Sequence, residues 1–93
     1  IIIRGFNPNS LTTDFVLPNT INIYQVTAIQ QYAFINNTNI TSIYIPYSVS
    51  TIGYYAFGNY KGVIKSPRSQ KPEGWSGDWN PHNATVYWNY VLS

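Results

Sequence analysis

The chain has no cysteine and no methionine, a single histidine, and only eight charged side chains among 93 residues. Without cysteine there is no disulfide framework, no thiolate zinc site and no cysteine nucleophile. The one histidine, His82, has neither a second histidine nor a cysteine at ligand spacing. A capping or surface role is therefore expected of it, and no metal or cofactor. The six glycines, at positions 5, 53, 58, 62, 74 and 77, stand singly, with no Gly-x-Gly-x-x-Gly or Walker pattern to cradle a phosphate. Long apolar runs are also missing. Ile1 to Ile3 is the longest aliphatic stretch, far short of the ~20 residues a spanning helix needs. The sequence opens on Ile1 with no charged segment leading into an apolar one, so it reads as a mature portion or a fragment.

Apolar residues make up 44% and aromatics 17%, which excludes a disordered chain. For 10.6 kDa the area scaling gives roughly 5,500 Å² folded against roughly 15,000 Å² unfolded, enough for one small domain over residues 1–93. Polarity comes from uncharged groups: eleven Asn, eight Thr, eight Ser and nine Tyr. A net charge of +2 is too small to imply nucleic acid. Four of the five basic residues, Lys61, Lys65, Arg68 and Lys71, cluster after position 60. Tyr60 and Trp75 could stack bases beside them, but a solvated, edge-protecting exit from the last repeat is the expected reading.

An internal repeat organises the chain. Setting residues 24–36 over 47–59 gives identity at Tyr24/Tyr47, Val26/Val49, Ile29/Ile52, Tyr32/Tyr55, Ala33/Ala56, Phe34/Phe57 and Asn36/Asn59, an offset of 23. Upstream of each block a short apolar strand runs into proline, Phe15-Val16-Leu17-Pro18 and Ile43-Tyr44-Ile45-Pro46. The first lies five residues further from its block, which predicts an inserted turn around residues 22–25. Alternation at Ile43-Tyr44-Ile45 predicts a strand that Pro46 ends. The spacing of Val49, Ile52 and Tyr55-Ala56-Phe57 predicts a short helical or 3₁₀ turn, with Gly53 permitting the bend. A 23-residue unit cannot bury its apolar face alone, so coils must stack. Ile29, Ala33, Phe34, Ile43, Ile45, Ile52, Ala56 and Phe57 are the expected core, with Ile43 and Ile45 in a strand parallel to Phe15–Leu17.

The pattern Ile43-x-Ile45-Pro46-x-x-Val49-x-x-Ile52-Gly53-x-x-Ala56-Phe57-x-Asn59 resembles the BspA-like, treponemal-type leucine-rich repeat of bacterial surface proteins. The resemblance covers residues 11–66. Lys71-Pro72-x-Gly74-Trp75-Ser76-x-x-Trp79-Asn80 with Val86-Tyr87-Trp88 is similar to the segment that closes such arrays. Gln30 stands where the repeat prefers Gly, Ile23 where the spaced first unit often has Gly, and Asn59 where Cys is frequent. The resemblance implies a predominantly β solenoid with one short parallel strand per repeat: about three coils in residues 1–66 and a Trp-rich cap in 67–93. It also implies a secreted or cell-surface module used for adhesion or protein binding.

No catalytic constellation emerges. Glu73 and Asp78 invite a two-carboxylate glycosidase reading, but as ordinary loop charges they need no further account. No Gly-x-Ser-x-Gly elbow is present. The Asn-x-Ser/Thr triplets at Asn36, Asn39 and Asn83 follow from composition. The candidate ligand-binding residues are aromatic and aliphatic. The strand period of two sends Tyr44 opposite its core isoleucines, and the equivalent outward positions are read as Val16, Ile64 and Tyr87. Such a face is too apolar for idle exposure unless loops or neighbouring copies cover it. Trp75 and Trp79 are either a cap folded over the Phe57 layer or a sugar-stacking platform. The expected function is noncatalytic: a protein-binding module acting through the strand face, with a spacer or terminal cap of a longer array and a glycan-binding module as the alternatives.

Overall fold

A computed structural model describes residues 1–5, 14–37 and 39–92 of the chain. Residues 11–13 of the repeat pattern and Thr38 of the Asn36 triplet lie outside them. Among the described residues nine short strands follow one another: β1 (Ile2–Ile3), β2 (Asp14–Val16), β3 (Thr20–Ile21), β4 (Tyr24–Gln25), β5 (Ala28–Ile29), β6 (Ser42–Tyr44), β7 (Thr51–Ile52), β8 (Val63–Lys65) and β9 (Val86–Tyr87). All but β3 and β4 belong to two parallel ladders, β1-β5-β7 and β2-β6-β8-β9. Successive coils enter each ladder in the same direction, which makes a stack of turns, a solenoid. Phe15 pairs with Ile43 and Val16 with Tyr44, in the parallel register the repeat predicts. The accessible surface, 5473 Å², is that of a compact chain of this mass.

The inserted segment of the first repeat is a hairpin. Thr20 pairs with Gln25 and Ile21 with Tyr24 around a two-residue turn in which Asn22 takes φ 58°. Asparagine tolerates that left-handed conformation because its short amide can bond locally. The hairpin places Ile23 at an exposed tip.

After Ile52 the expected short helical or 3₁₀ turn takes the form of successive i to i−3 turns without a helix. Three i to i−3 bonds of the 3₁₀ kind form: Ala56 N–H donates to the Gly53 carbonyl, Gly58 to Tyr55 and Tyr60 to Phe57. They never fuse into a helix, because Tyr55 and Asn59 take φ of 53° and 54°. The amides between them turn outward to the next coil, Tyr55 N–H to the Asp78 carbonyl at 2.8 Å and Phe57 N–H to Trp79 at 2.9 Å. The preceding coil repeats the scheme, with Tyr32, Phe34 and Asn36 donating to Tyr54, Ala56 and Gly58. Each turn thus spends alternate amides on itself and on its neighbour. Gly53 does not supply the bend, since no glycine has positive φ. It is needed for close approach: a Cβ there would lie 2.8 Å from Gln31 Cα and 3.1 Å from the Gln30 carbonyl carbon.

All eight residues expected in the core are buried, together with Leu17, Val26, Ile40, Val49, Tyr60 and Ile64. Phe34 and Phe57 stack with ring centres 5.1 Å apart and planes within 4°. The C-terminal segment continues this stack rather than standing apart. Trp79 meets the Phe57 ring edge-on at 5.8 Å, Trp75 meets Trp79 at 4.8 Å, and Trp88 packs on both indoles. Trp75 is 1% exposed and Trp79 6%. The Trp75 indole N–H donates to the Val49 carbonyl at 3.1 Å, which satisfies its one buried donor. Both rings close the core, and burial leaves neither available as a sugar-stacking platform.

Candidate binding face

The four-stranded ladder has an inner and an outer face. Phe15, Ile43, Ile64 and Val86 point inward, and Val16, Tyr44, Lys65 and Tyr87 form a single outer column in register. Three of the four residues expected on this face are therefore there. Ile64 is not: it pairs with Ile43 and is fully buried, and Lys65 occupies the outer position between Tyr44 and Tyr87. The reason is a change of spacing. From Ile43 to Ile64 and from Pro46 to Pro67 the offset is 21 residues, not 23, and aligning on the prolines would have revealed it. The misleading residue is Ser66, a polar residue in the core position of Ile45. It is tolerated because its N–H donates to the Tyr87 carbonyl and its Oγ accepts the Arg68 N–H at 3.1 Å.

Val16 is 47% exposed and Tyr87 50%, whereas Tyr44 is half-buried. The cover on Tyr44 is Tyr90, whose ring centre lies 6.2 Å away. The Lys65 ammonium sits 5.0 Å from that same ring, within cation–π range. Beside the column, the Arg68 guanidinium stacks on Tyr47 at 4.1 Å and donates to the Tyr47 carbonyl at 2.7 Å and the Val49 carbonyl at 3.3 Å. Between the column and the hairpin runs a groove of about 550 Å³, with Val16, Pro18, Gln25, Tyr44, Tyr47 and Leu92 among its lining. Among the described residues no charged side chain lines it.

His82 and the backbone of Asp78 are tied into the fold. His82 accepts the Asn59 N–H through Nδ1 at 2.8 Å, a capping role. The backbone of Asp78 is tied to Tyr55 and Ser76, while its carboxylate and that of Glu73 are on exposed residues. Among the described residues no group of three His, Cys, Asp or Glu side chains could hold a metal ion, and no helix is long and apolar enough to cross a membrane. Of the basic cluster, Arg68 and Lys65 are engaged with Tyr47 and Tyr90, and Lys61 and Lys71 are exposed. Burial raises the Tyr60 hydroxyl well above the ordinary phenol range, with the Asp14 charge adding to it. Its O–H donates to the Val63 carbonyl at 3.2 Å.

Residues 5–68 match the family model of the BspA type leucine rich repeat region, built on six copies. That stretch holds the repeated core and most of both ladders. The chain belongs to this family. No curated protein and no solved structure is similar enough to add to that assignment. As a BspA-type leucine-rich repeat, the chain carries the family's repeat through residue 68, and the tryptophan-closed segment follows it.

Proposed function

We propose that this BspA-type repeat is a noncatalytic protein-binding module of a bacterial surface or secreted protein, and that it adheres through the outer face of its four-stranded ladder. The observation that carries the reading is the Val16-Tyr44-Lys65-Tyr87 column, in which two half-exposed apolar side chains flank an aromatic and a cation. Tyr47 with its stacked Arg68 extends it sideways. Tyrosine and arginine are the residues that most often anchor protein interfaces, each costing about 2 kcal/mol or more on truncation at a hot spot. The test is binding to immobilised extracellular-matrix proteins. Val16→Asp and Tyr87→Ala should weaken retention at least tenfold while leaving the melting temperature within a few degrees. Retention unchanged in both variants would refute the strand face as the site.

A second reading, the terminal cap of a longer array, is favoured by the asymmetry of the two ends. Trp75, Trp79 and Trp88 close the core at one end, while at the other the core-facing Ile3 of β1 and Phe15 of β2 are only partly buried. Joining another 23-residue unit ahead of β1 should then raise the melting temperature by several degrees; no rise would count against it.

A further inference from the structure

The outer face is already visited by the chain itself. Beyond β9, Asn89 takes φ 56° and reverses the backbone. Its N–H donates to the Arg68 carbonyl and that of Tyr90 to the Ser66 carbonyl, both at 2.8 Å. From there the tail crosses the column toward the hairpin: Tyr90 lies against Lys65 and Tyr44, and Leu92 borders the groove on which Val16 and Pro18 also open. Val91, between them, is 81% exposed. A side chain down, the next up and the third down again is the alternation of an extended segment. Among the described residues the backbone bonds of this segment are those of Asn89 and Tyr90, and none is made by Val91 or Leu92.

We propose that the face receives an extended, uncharged peptide segment of a partner protein, with an aromatic residue followed two positions later by an aliphatic one, and that residues 90–92 are an internal competitor for that track. This rests on the strand-face reading above. The chemistry of the occupant is read from the uncharged tail that sits there and from the groove, whose described lining joins aliphatic, proline and two tyrosine side chains to the uncharged Asn19, Gln25 and Ser48, with the Lys65 ammonium only at the Tyr90 end. Leu92 is 47% exposed and the groove still offers about 550 Å³, so the tail leaves room for further side chains. A tethered segment competes at an effective concentration in the millimolar range. A partner must displace it, and a weakened tail must bind the partner better.

The probe is the blocked tetrapeptide acetyl-Asn-Tyr-Val-Leu-amide, titrated into the full chain and into the Tyr90→Ser/Leu92→Ser variant with Val16 methyl and Tyr44 ring resonances observed. Saturable shifts at both residues are expected, with an apparent Kd at least tenfold lower in the variant. Should the double substitution lower the melt, Leu92→Ser alone, which removes one half-exposed side chain, is expected to give a smaller gain of the same sign. Absence of saturation at Val16 and Tyr44, or equal affinity in parent and variants, would overturn the proposal. Matrix-protein retention separates the two ideas. Loss in Val16→Asp with no gain in Leu92→Ser would defeat the tail and spare the strand face. Retention indifferent to Val16→Asp would defeat the strand face itself.

Discussion

The imidazole of His82 stands in for a backbone carbonyl: its Nδ1 accepts the Asn59 N–H at 2.8 Å, one rung beyond the bonds from Tyr55 to Asp78 and from Phe57 to Trp79. A coil that followed the repeat would have offered a carbonyl there, as Gly58 offers one to Asn36. An Nδ1 that accepts carries no proton, so the ring is the tautomer protonated at Nε2. The side chain ends a ladder that would otherwise present an open donor.

His82→Ala should therefore remove hydrogen-exchange protection from the Asn59 amide and leave that of Phe57 in place. The site is exposed, so water takes over the donor and the stability loss should be about 1 kcal/mol. A ¹⁵N spectrum of the imidazole with the proton on Nδ1 would contradict the assignment.

Trp75→Ala and Trp79→Ala should each cost about 3–5 kcal/mol, out of the roughly 5–14 kcal/mol available to a chain of this length. Trp75→Phe keeps much of the volume and gives up the bond to the Val49 carbonyl, so it should cost less. Thermal melts of the three variants beside the parent decide this. Unchanged midpoints would mean that the indoles do not close the core.

Tyr60 predicts how the fold responds to alkali. Its hydroxyl titrates above the ordinary value of 10.0 in the folded chain because burial penalises the phenolate. The unfolded chain gives up this proton first as pH rises. The stability linked to Tyr60 is thus fully present below pH 10 and declines above it. Urea midpoints measured between pH 8 and 11 should fall above pH 10, and less steeply in Tyr60→Phe. Equal slopes in the two proteins would contradict the account.

Gly53→Ala should destabilise by about 1–3 kcal/mol through overpacking, since the added Cβ meets the Gln30 and Gln31 backbone rather than a movable side chain. A neutral effect in a melt would return Gly53 to the role of a simple bend.

The solenoid was legible because its signals repeat. Phe34/Phe57 and Ile29/Ile52 recur in register, and Ile43-Tyr44-Ile45-Pro46 carries both the alternation and the stop. The inserted turn near residues 22–25 was legible from the five extra residues, although its closure as a hairpin was not. Ile64 misled because a buried serine, Ser66, breaks the apolar alternation just where the spacing shortens. Gly53 read as permitting a bend because sequence reveals a missing Cβ and not what the missing atom would strike. The contact of Tyr90 with Tyr44 joins residues far apart in the chain and has no local signature, and neither has the rung supplied by His82.

The central claim, that the chain binds protein through the Val16-Tyr44-Lys65-Tyr87 column, is tested most directly by mapping chemical-shift changes as a matrix protein that the immobilised assay retains is titrated into ¹⁵N-labelled chain. The account predicts the largest changes at these four residues, at Tyr47, and at the displaced Tyr90 and Leu92. Changes centred instead on Tyr32 and Tyr54, the exposed rings of the turns after β5 and β7, would contradict it.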